Sequence, residues 1–277
     1  MTSRRNFLQQ SALSLAGAIS LPLVSGAAPG KKEPVLLSTG IAGYTFAKFD
    51  LEKAIAMMKK VDIKYLSVKD FHLPLNSNAE KIQSVLKQLA DADIKVYAVG
   101  VIYMKTQQAV DEAFDYAKRV GVPLIVGVPN PELLDYTEKV VKSSGIRLAI
   151  HNHGPEDKLY PGPKNVYDLI KDRDEKMGIC LDIGHAIRAG ADPAEAIRLY
   201  KNRIFDLHIK DVTLAAKDGK AIEVGRGVIN FPALVKALHK IRYQGICSIE
   251  FEKDMTDPLA GLAESTGYFK GVVKSFA

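Results

Sequence analysis

Short apolar runs alternate with longer amphipathic stretches along most of the chain, and this alternation is the feature that most restricts the fold. Runs rich in aliphatic and β-branched residues predict strands from residue 35 to near 44 and at residues 65–68, 94–103, 124–128, 147–151, 178–182, 204–209 and 246–251. The stretches between them predict helices at residues 51–61, 79–92, 107–120, from 131, 165–171, from 192, 232–241 and 258–273. Apolar strands separated by helices are typical of α/β proteins in which helices cover a parallel sheet.

Eight such units predict a (β/α)8 barrel, also called a TIM barrel, and a chain of 277 residues suits one domain of this kind. An open, doubly wound sheet is the alternative. It is disfavoured because no Gly-rich dinucleotide-binding loop follows the first predicted strand. We therefore predict a single barrel domain over residues 35–277, preceded by a linker at 28–34.

The first 27 residues have the pattern of an export signal. Arg4 and Arg5 precede an apolar run from Ala12 to Val24, and small residues follow up to Ala27. This pattern predicts a twin-arginine signal peptide cleaved after residue 27, and hence a periplasmic protein. An N-terminal membrane anchor is the alternative, but proline and glycine residues weaken a helix there. No later apolar run reaches the roughly 18 residues of a membrane span, so stable insertion is not expected after cleavage.

The charge distribution argues against nucleic-acid binding, and the cysteine positions argue against a disulfide bond. The formal net charge is +6, but the basic residues are scattered along the predicted helices, so a nucleic-acid surface is not indicated. Cys180 and Cys247 fall on predicted strands that are not neighbours, which predicts two buried free thiols. The oligomeric state stays open, and a homo-oligomer is one option.

Polar side chains end four consecutive predicted strands. His151, Asp182, His208 and Glu250 lie where the fifth to eighth strands give way to loops. In a β/α barrel these strand ends carry functional groups, and side-chain alternation lets the four converge. Imidazole and carboxylate ligands suit Mn²⁺, Co²⁺, Zn²⁺ or Fe²⁺, so we predict one divalent metal ion. His153 has the same strand parity as His151 and is an alternative ligand.

One histidine at a strand end is more often ordinary polar packing than a ligand. Here four of the six histidines lie in these stretches, beside two carboxylates, which favours a metal site. Further residues predicted at the same mouth are Lys69 and His72 after the second strand, with Tyr44 and Tyr103. Arg226, in the loop after the seventh strand, either holds a substrate oxygen or is ordinary loop charge.

Five stretches resemble motifs of the xylose isomerase-like β/α-barrel superfamily of sugar isomerases, epimerases and inosose dehydratases, at residues 150–154, 182–185, 208–211, 225–227 and 248–250. The likeness covers roughly residues 35–275. It implies that Asp182, His208 and Glu250 bind a metal and that His185 and Arg226 face a small carbohydrate substrate.

The chain departs from that family pattern at His151, where the family commonly has Glu. The epimerases use a pair of Glu residues. Because this chain lacks one of the pair, simple epimerisation is a weaker hypothesis for its reaction. The resemblance then implies that Glu250, or a histidine of the site, removes a proton next to a ketone and that Lys210 or His153 protonates a leaving oxygen. Exported relatives with a stretch like residues 69–72 look like enzymes that act on 3-keto-glycosides or keto-glycals. We therefore expect a metal-dependent keto-sugar lyase or hydratase.

Three alternatives stay open at this stage. The first is a sugar isomerase or epimerase of the same superfamily. The second is a barrel of the abasic-site endonuclease type, which holds three metals. The third is a sugar-binding barrel that has lost its activity.

Overall fold

The computed structural model describes residues 37–276, and a closed barrel of eight parallel strands forms the centre of this region. The barrel strands are β1 (Ser38–Ala42), β2 (Tyr65–Val68), β3 (Lys95–Met104), β4 (Leu124–Pro129), β5 (Arg147–His151), β6 (Met177–Asp182), β7 (Ile204–Ile209) and β10 (Ile246–Ile249). They follow one another around the barrel in chain order, and β10 closes it against β1. The predicted (β/α)8 barrel is confirmed.

Helices cover the outside of the barrel. They are α1 (Leu51–Lys60), α2 (Ala79–Asp91), α3 (Gln107–Val120), α4 (Leu134–Ser144), α5 (Pro163–Ile170), α6 (Ile183–Arg188), α7 (Pro193–Leu199), α8 (Phe231–Ile241) and α9 (Leu259–Lys274). Two 3₁₀ turns, Gly43–Phe46 and Pro131–Leu133, and an antiparallel ribbon of β8 (Asp211–Val212) with β9 (Ala221–Ile222) complete the described elements.

The helix starts follow from side chains that accept hydrogen bonds from free backbone N–H groups. Asp50 accepts from Lys53 N at the start of α1 at 2.8 Å, and Thr106 accepts from Ala109 N at the start of α3 at 3.1 Å. Such caps satisfy donors that a helix leaves unpaired. The apolar faces of these helices pack on the barrel, whose strands β4 and β6 are buried over their whole length.

The structure differs from the predicted elements at four places. β1 covers Ser38–Ala42, so it begins three residues after the predicted start at 35 and ends just before the predicted end near 44, because a 3₁₀ turn begins at Gly43. The last barrel strand ends at Ile249, two residues before the predicted limit. The prediction missed α6, which begins immediately after β6 because the Asp182 side chain caps it, and it missed the β8–β9 ribbon.

Three further predictions concern the N-terminus, the cysteines and the membrane. The signal peptide and the linker, predicted at 1–27 and 28–34, lie outside the described residues. Cys180 and Cys247 are both free and buried, as predicted. Among residues 37–276, no helix has the length and apolar character that a membrane crossing requires.

Candidate metal centre and active site

Four side chains from neighbouring strands converge at the C-terminal end of the barrel. His151 ends β5, Asp182 ends β6, His208 lies in β7, and Glu250 follows β10. One ligand atom from each lies within 4.8 Å of the other three, and all four residues are buried. The predicted metal ligands are therefore brought together by adjacency in the barrel, although they are spread over a hundred residues of sequence.

The spacing of these atoms suits one divalent ion. His151 Nε2 lies 3.0 Å from His208 Nδ1 and 3.5 Å from Asp182 Oδ2, and His208 Nδ1 lies 3.0 Å from Glu250 Oε2. Ligands about 2.1 Å from a tetrahedral ion are about 3.4 Å apart, which is close to these separations. Asp182 Oδ2 is buried and makes no well-aligned hydrogen bond within the described residues, so it has a lone pair that a metal ion could use beside its ion pair with Lys210.

A second cation already lies against this cluster. Lys210 Nζ is 2.8 Å from Glu250 Oε2, 3.1 Å from Asp182 Oδ2 and 2.9 Å from Glu252 Oε2. The lysine side chain is only 4% exposed, so its charge is compensated by the carboxylates rather than by water. The ammonium group thus borders the metal ligands and the pocket above them.

Burial and charge act in opposite directions on the ionisable groups here. Burial by itself raises the pKa of Asp182, but the neighbouring His185 and Lys210 outweigh it and hold that pKa well below its usual range. The same competition lowers the pKa of Glu250, where His208 and Lys210 outweigh burial. Burial lowers the pKa of Lys210, but Asp182 and Glu250 outweigh this effect and raise it well above its usual range. Both carboxyl groups are therefore ionised at neutral pH, and the lysine is charged.

The two histidines of the cluster behave differently. Burial lowers the pKa of His151 to about 3, so this ring is neutral and available as a ligand. For His208, burial also acts to lower the pKa, but Cys180 and Glu250 outweigh it and raise the pKa well above 6.5. His208 therefore carries a proton next to Glu250, and it would have to lose that proton to act as a metal ligand.

A cavity of about 330 Å³ opens directly above the cluster. Its walls combine imidazole, carboxylate, ammonium and phenol groups, from Tyr44, Lys69, Val101, Tyr103, His151, His153, His185, Lys210, Glu250 and Glu252. Its size is at the lower end of the range for small-molecule sites. The pocket and the cluster together have the features of an active site that binds a small polar molecule.

His153 and Tyr103 form one wall of this cavity. Tyr103 Oη and His153 Nε2 are 3.0 Å apart, and the two rings stack with centroids 5.5 Å apart. Burial lowers the pKa of His153, so its imidazole is neutral at pH 7. A neutral imidazole joined to a phenol can pass a proton in either direction, which makes this pair a candidate acid or base.

His185 reaches the cavity from the first turn of α6. Its backbone N–H donates to Asp182 Oδ1 at 2.8 Å, and Arg188 Nη1 lies 3.3 Å from its Nδ1. Arg188 and the charged Lys210, whose Nζ lies 3.5 Å from His185 Nε2, can both only donate, and a neutral imidazole has a single acceptor nitrogen, so the ring accepts from one of them. Burial lowers the pKa of His185 to about 4, which keeps the ring neutral. His185 therefore presents a neutral imidazole to the cavity, between Arg188 and Lys210.

The structure brings some predicted substrate-binding residues to the pocket and not others. Lys69 and Tyr44 line the cavity, together with His185. His72 is buried elsewhere, with Nε2 2.9 Å from the Phe49 carbonyl oxygen. Arg226 forms an exposed ion pair with Glu264 and does not line the cavity.

The Gly225-Arg226-Gly227 stretch serves the loop itself. The buried Asp211 carboxylate accepts hydrogen bonds from the backbone N–H groups of Gly225 at 3.0 Å, Gly227 at 2.8 Å and Ile229 at 3.2 Å. A Cβ at Gly227 would lie 2.3 Å from Asp211 Oδ1, so only glycine allows this approach. The motif that suggested a substrate contact is a carboxylate-anchored turn, and Arg226 points to α9.

Sequence reasoning did not assign two residues that line the pocket, Val101 and Glu252, and it missed one buried polar layer. Glu252 lines the cavity, and its parity with Glu250 was the signal that could have placed it there. Beneath the metal ligands, Tyr97 Oη donates to Asp206 Oδ2 at 3.0 Å, and burial raises the pKa of Asp206 to about 7. A hydrophobic pattern cannot reveal this buried polar layer, because its partners, Tyr97 and Asp206, are 109 residues apart in the sequence.

Comparisons with known proteins agree with this architecture. The sequence pattern of the family described as xylose isomerase-like TIM barrel matches residues 42–271. The chain is 33% identical over 116 residues to an uncharacterized protein of Methanocaldococcus jannaschii, covering 40% of this chain and 39% of that protein. It is 25% identical over 149 residues to an inosose dehydratase of Clostridium perfringens, covering 47% of this chain and 50% of that enzyme. These matches span half or less of each curated relative.

Among solved structures, the IolI protein with a bound zinc atom superposes with a TM-score of 0.72 at 16% sequence identity. The match covers 87% of this chain and 99% of that chain. At this level of identity the likeness establishes the fold alone.

Proposed function

Because the chain belongs to the xylose isomerase-like TIM barrel family, we propose that it is a divalent-metal-dependent enzyme that removes a proton next to the carbonyl of a keto-sugar. Its substrate is a 3-keto-glycoside or a keto-glycal, and it acts as a lyase or, in reverse, as a hydratase. The matched inosose dehydratase also removes water from a keto-polyol, by its name, which supports this class of chemistry.

The observation that carries the proposal is the one-sided placement of the carboxylates. Glu250 and Glu252, the two carboxylates that line the cavity, follow the same strand, β10, whereas β5 contributes His151 and His153. Inverting a carbon by two carboxylates requires one on each face of the substrate. A carboxylate base on one wall with a histidine on another suits removal of a proton and protonation of a leaving group instead.

Glu250 is the base in this scheme. Its pKa is held well below the usual range because His208 and Lys210 outweigh the effect of burial, so it is ionised and ready to accept a proton. His208 and Lys210 both contact Oε2, and Oε1 makes no hydrogen bond with any residue of the described chain. Oε1 is therefore the atom available to the substrate.

Lys210 stabilises the charge that develops on the substrate, and the His153–Tyr103 pair protonates the leaving group. Lys210 stays charged, so it stabilises negative charge on the substrate oxygen as the proton leaves. The His153–Tyr103 pair delivers a proton to the departing oxygen. In the elimination, the C2–H and C1–O bonds break, a C1–C2 double bond forms, and the proton that Glu250 accepts is matched by the one given to the leaving group.

His151, Asp182, His208 and Glu250 would hold the metal ion. When bound, a divalent ion acts as a Lewis acid that polarises the carbonyl of the substrate. The ligand chemistry fits Mn²⁺, Co²⁺ or Zn²⁺. Because the predicted signal is of the twin-arginine type, we propose that the enzyme works in the periplasm.

The test is hydrogen exchange at the carbon next to the ketone. The metal-loaded protein is incubated with a 3-keto-glucoside in D₂O, and NMR follows deuterium at C2 and release of the aglycone. Wild type should show both, Glu250→Gln should lose both, and Glu264→Gln, which changes an exposed carboxylate far from the cavity, should keep both. Near-normal turnover in Glu250→Gln would refute the role of this residue.

The same experiment distinguishes the alternative functions, because each predicts a different result. Inversion at C2 without aglycone release would identify an isomerase or epimerase. Binding of the sugar without exchange at any carbon would identify a sugar-binding barrel, and cleavage of abasic DNA would identify a nuclease.

A further inference from the structure

We propose that Cys180 supplies a thiolate ligand to the metal centre, alongside His151 and His208, so that the site prefers thiophilic ions such as Zn²⁺ and Co²⁺ over Mn²⁺ and Mg²⁺. The inference rests on the metal centre of the proposed function and adds to it a sulfur donor and a class of metal.

The position of Cys180 in the barrel places its sulfur beside the two histidines. Cys180 precedes Asp182 by two residues on β6, so the two side chains lie on the same, inward face of the strand. In the strand register, Cys180 pairs with His151 of β5, and Asp182 pairs with His208 of β7. The thiol therefore lies one layer below the carboxylate of Asp182.

The distances make a shared site feasible. The Cys180 sulfur and one ring nitrogen each from His151 and His208 all lie within 4.8 Å of one another, and all three residues are buried. Ligands of a tetrahedral ion with one sulfur at about 2.3 Å and nitrogens at about 2.1 Å lie about 3.6 Å apart, so small side-chain shifts suffice. The two histidines thus border a sulfur donor on one side and oxygen donors on the other.

Each histidine also keeps a spare nitrogen. His208 uses Nδ1 against Glu250, while its Nε2 is buried without a hydrogen-bond partner in the described part of the chain. His151 uses Nε2 towards His208 and Asp182, while its Nδ1 is likewise buried and unpartnered in residues 37–276. Buried polar atoms without partners are costly, so both histidine rings have ligand capacity that contacts within the described residues do not use.

The thiol contacts two polar side chains. It hydrogen-bonds to Asp206 Oδ2 at a sulfur–oxygen distance of 4.0 Å, which is weak, and it also interacts with His208, one of the proposed ligands. Binding breaks the S–H bond, the sulfur joins the ion as thiolate, and the proton leaves to solvent, with no change of oxidation state. Thiolate favours Zn²⁺ and Co²⁺, whereas Mg²⁺ and Mn²⁺ prefer oxygen ligands.

Cobalt substitution tests the proposal through absorption rather than activity. The metal-free protein, Cys180→Ser and Cys247→Ser are each titrated with Co²⁺. Cys247 is the matched control, because it is also fully buried in a barrel strand but belongs to neither group of ligand atoms. Visible d–d bands count the bound cobalt, and the near-ultraviolet thiolate-to-cobalt band reports sulfur ligation.

We expect about one cobalt per chain with a thiolate band in wild type, loss of that band in Cys180→Ser, and its retention in Cys247→Ser. Competition between Zn²⁺ and Mn²⁺ should also shift by about tenfold or more in Cys180→Ser, since even an outer-shell partner is worth about 10–100-fold in metal affinity. Circular dichroism checks folding, and Cys180→Ala replaces the serine variant if that variant is misfolded.

Two results would overturn the inference. One is bound cobalt without a thiolate band in wild type, and the other is a thiolate band that survives in Cys180→Ser. A wild-type protein that binds no cobalt, zinc or manganese at all would instead refute the metal centre, and with it the proposed function.

Discussion

Removing the charge of Lys210 should destabilise the metal-free protein far more than removing the charge of a similar but exposed lysine. Lys210 Nζ lies 2.8 Å from Glu250, 3.1 Å from Asp182 and 2.9 Å from Glu252, at 4% side-chain exposure. Lys210→Met leaves these buried carboxylates without their cation, and breaking a buried ion pair costs about 3–5 kcal/mol. For a domain of this size that corresponds to a fall in Tm of roughly 6–20 °C.

The matched control is Lys253→Met. Lys253 Nζ makes equally short contacts with Glu223, at 2.7 and 2.9 Å, but its side chain is 44% exposed. An exposed pair contributes about 0–1 kcal/mol. Lys253 is exposed but Glu223 is only 10% exposed, so this variant should lose somewhat more than that and still clearly less than Lys210→Met. The measurement is urea unfolding of both chelator-treated variants, followed by far-ultraviolet circular dichroism. A loss in Lys210→Met no greater than that in Lys253→Met would refute the reasoning.

The pH dependence of this loss has a definite sign. Asp182 and Glu250 have folded-state pKa values below their unfolded values, so their contribution is present above about pH 4 and is lost as the pH falls through the folded pKa. Lys210 has a raised folded pKa, so its contribution is present below about pH 10.4 and is lost as the pH rises through the folded pKa. The difference between Lys210→Met and wild type should therefore be greatest between about pH 5 and 10, and it should shrink when a divalent ion is added, because the ion replaces the missing charge.

Three further predictions follow from the ligand set and its surroundings. Asp182→Asn should lose the bound divalent ion in elemental analysis, whereas His239→Ala, on the outer helix α8, should keep it; equal metal content would contradict the ligand assignment. Arg226→Ala should change kcat/KM less than about twofold and stability by no more than about 1 kcal/mol, because its ion pair with Glu264 is exposed; a large rise in KM would restore the substrate contact that the sequence suggested. Asp211→Ala should lower the unfolding free energy by about 3 kcal/mol or more in urea titration, since several backbone N–H groups lose a buried acceptor, and a loss as small as that of Glu264→Ala would argue against the anchored turn.

The barrel could be predicted from the sequence because strand and helix patterns repeat eight times with few interruptions. The convergence of His151, Asp182, His208 and Glu250 could be predicted for a related reason. Consecutive strands are neighbours in such a barrel, and alternation along each strand fixes which side chains face inward. Strand ends were less predictable: the last strand stops at Ile249, before the residues that form the pocket wall.

Loop residues could not be placed in the same way. Strand parity gives no direction for Arg226, whose position depends on Asp211 and on Glu264, 38 residues further along the chain. His72 likewise turns to the Phe49 carbonyl oxygen, a partner 23 residues earlier. Such contacts depend on the path of the loop in space, which hydrophobic periodicity does not encode.

The two halves of the barrel contribute to the pocket in different ways. All four proposed metal ligands come from β5 to β10, whereas Tyr44, Lys69, Val101 and Tyr103, from the first three βα units, contribute only to the walls above them. Substitutions in the first half can therefore accumulate and change which sugar is accepted while the metal chemistry is inherited intact. A chimaera that joins the first half of a relative to the second half of this chain should acquire the substrate range of the donor and keep the reaction of the recipient.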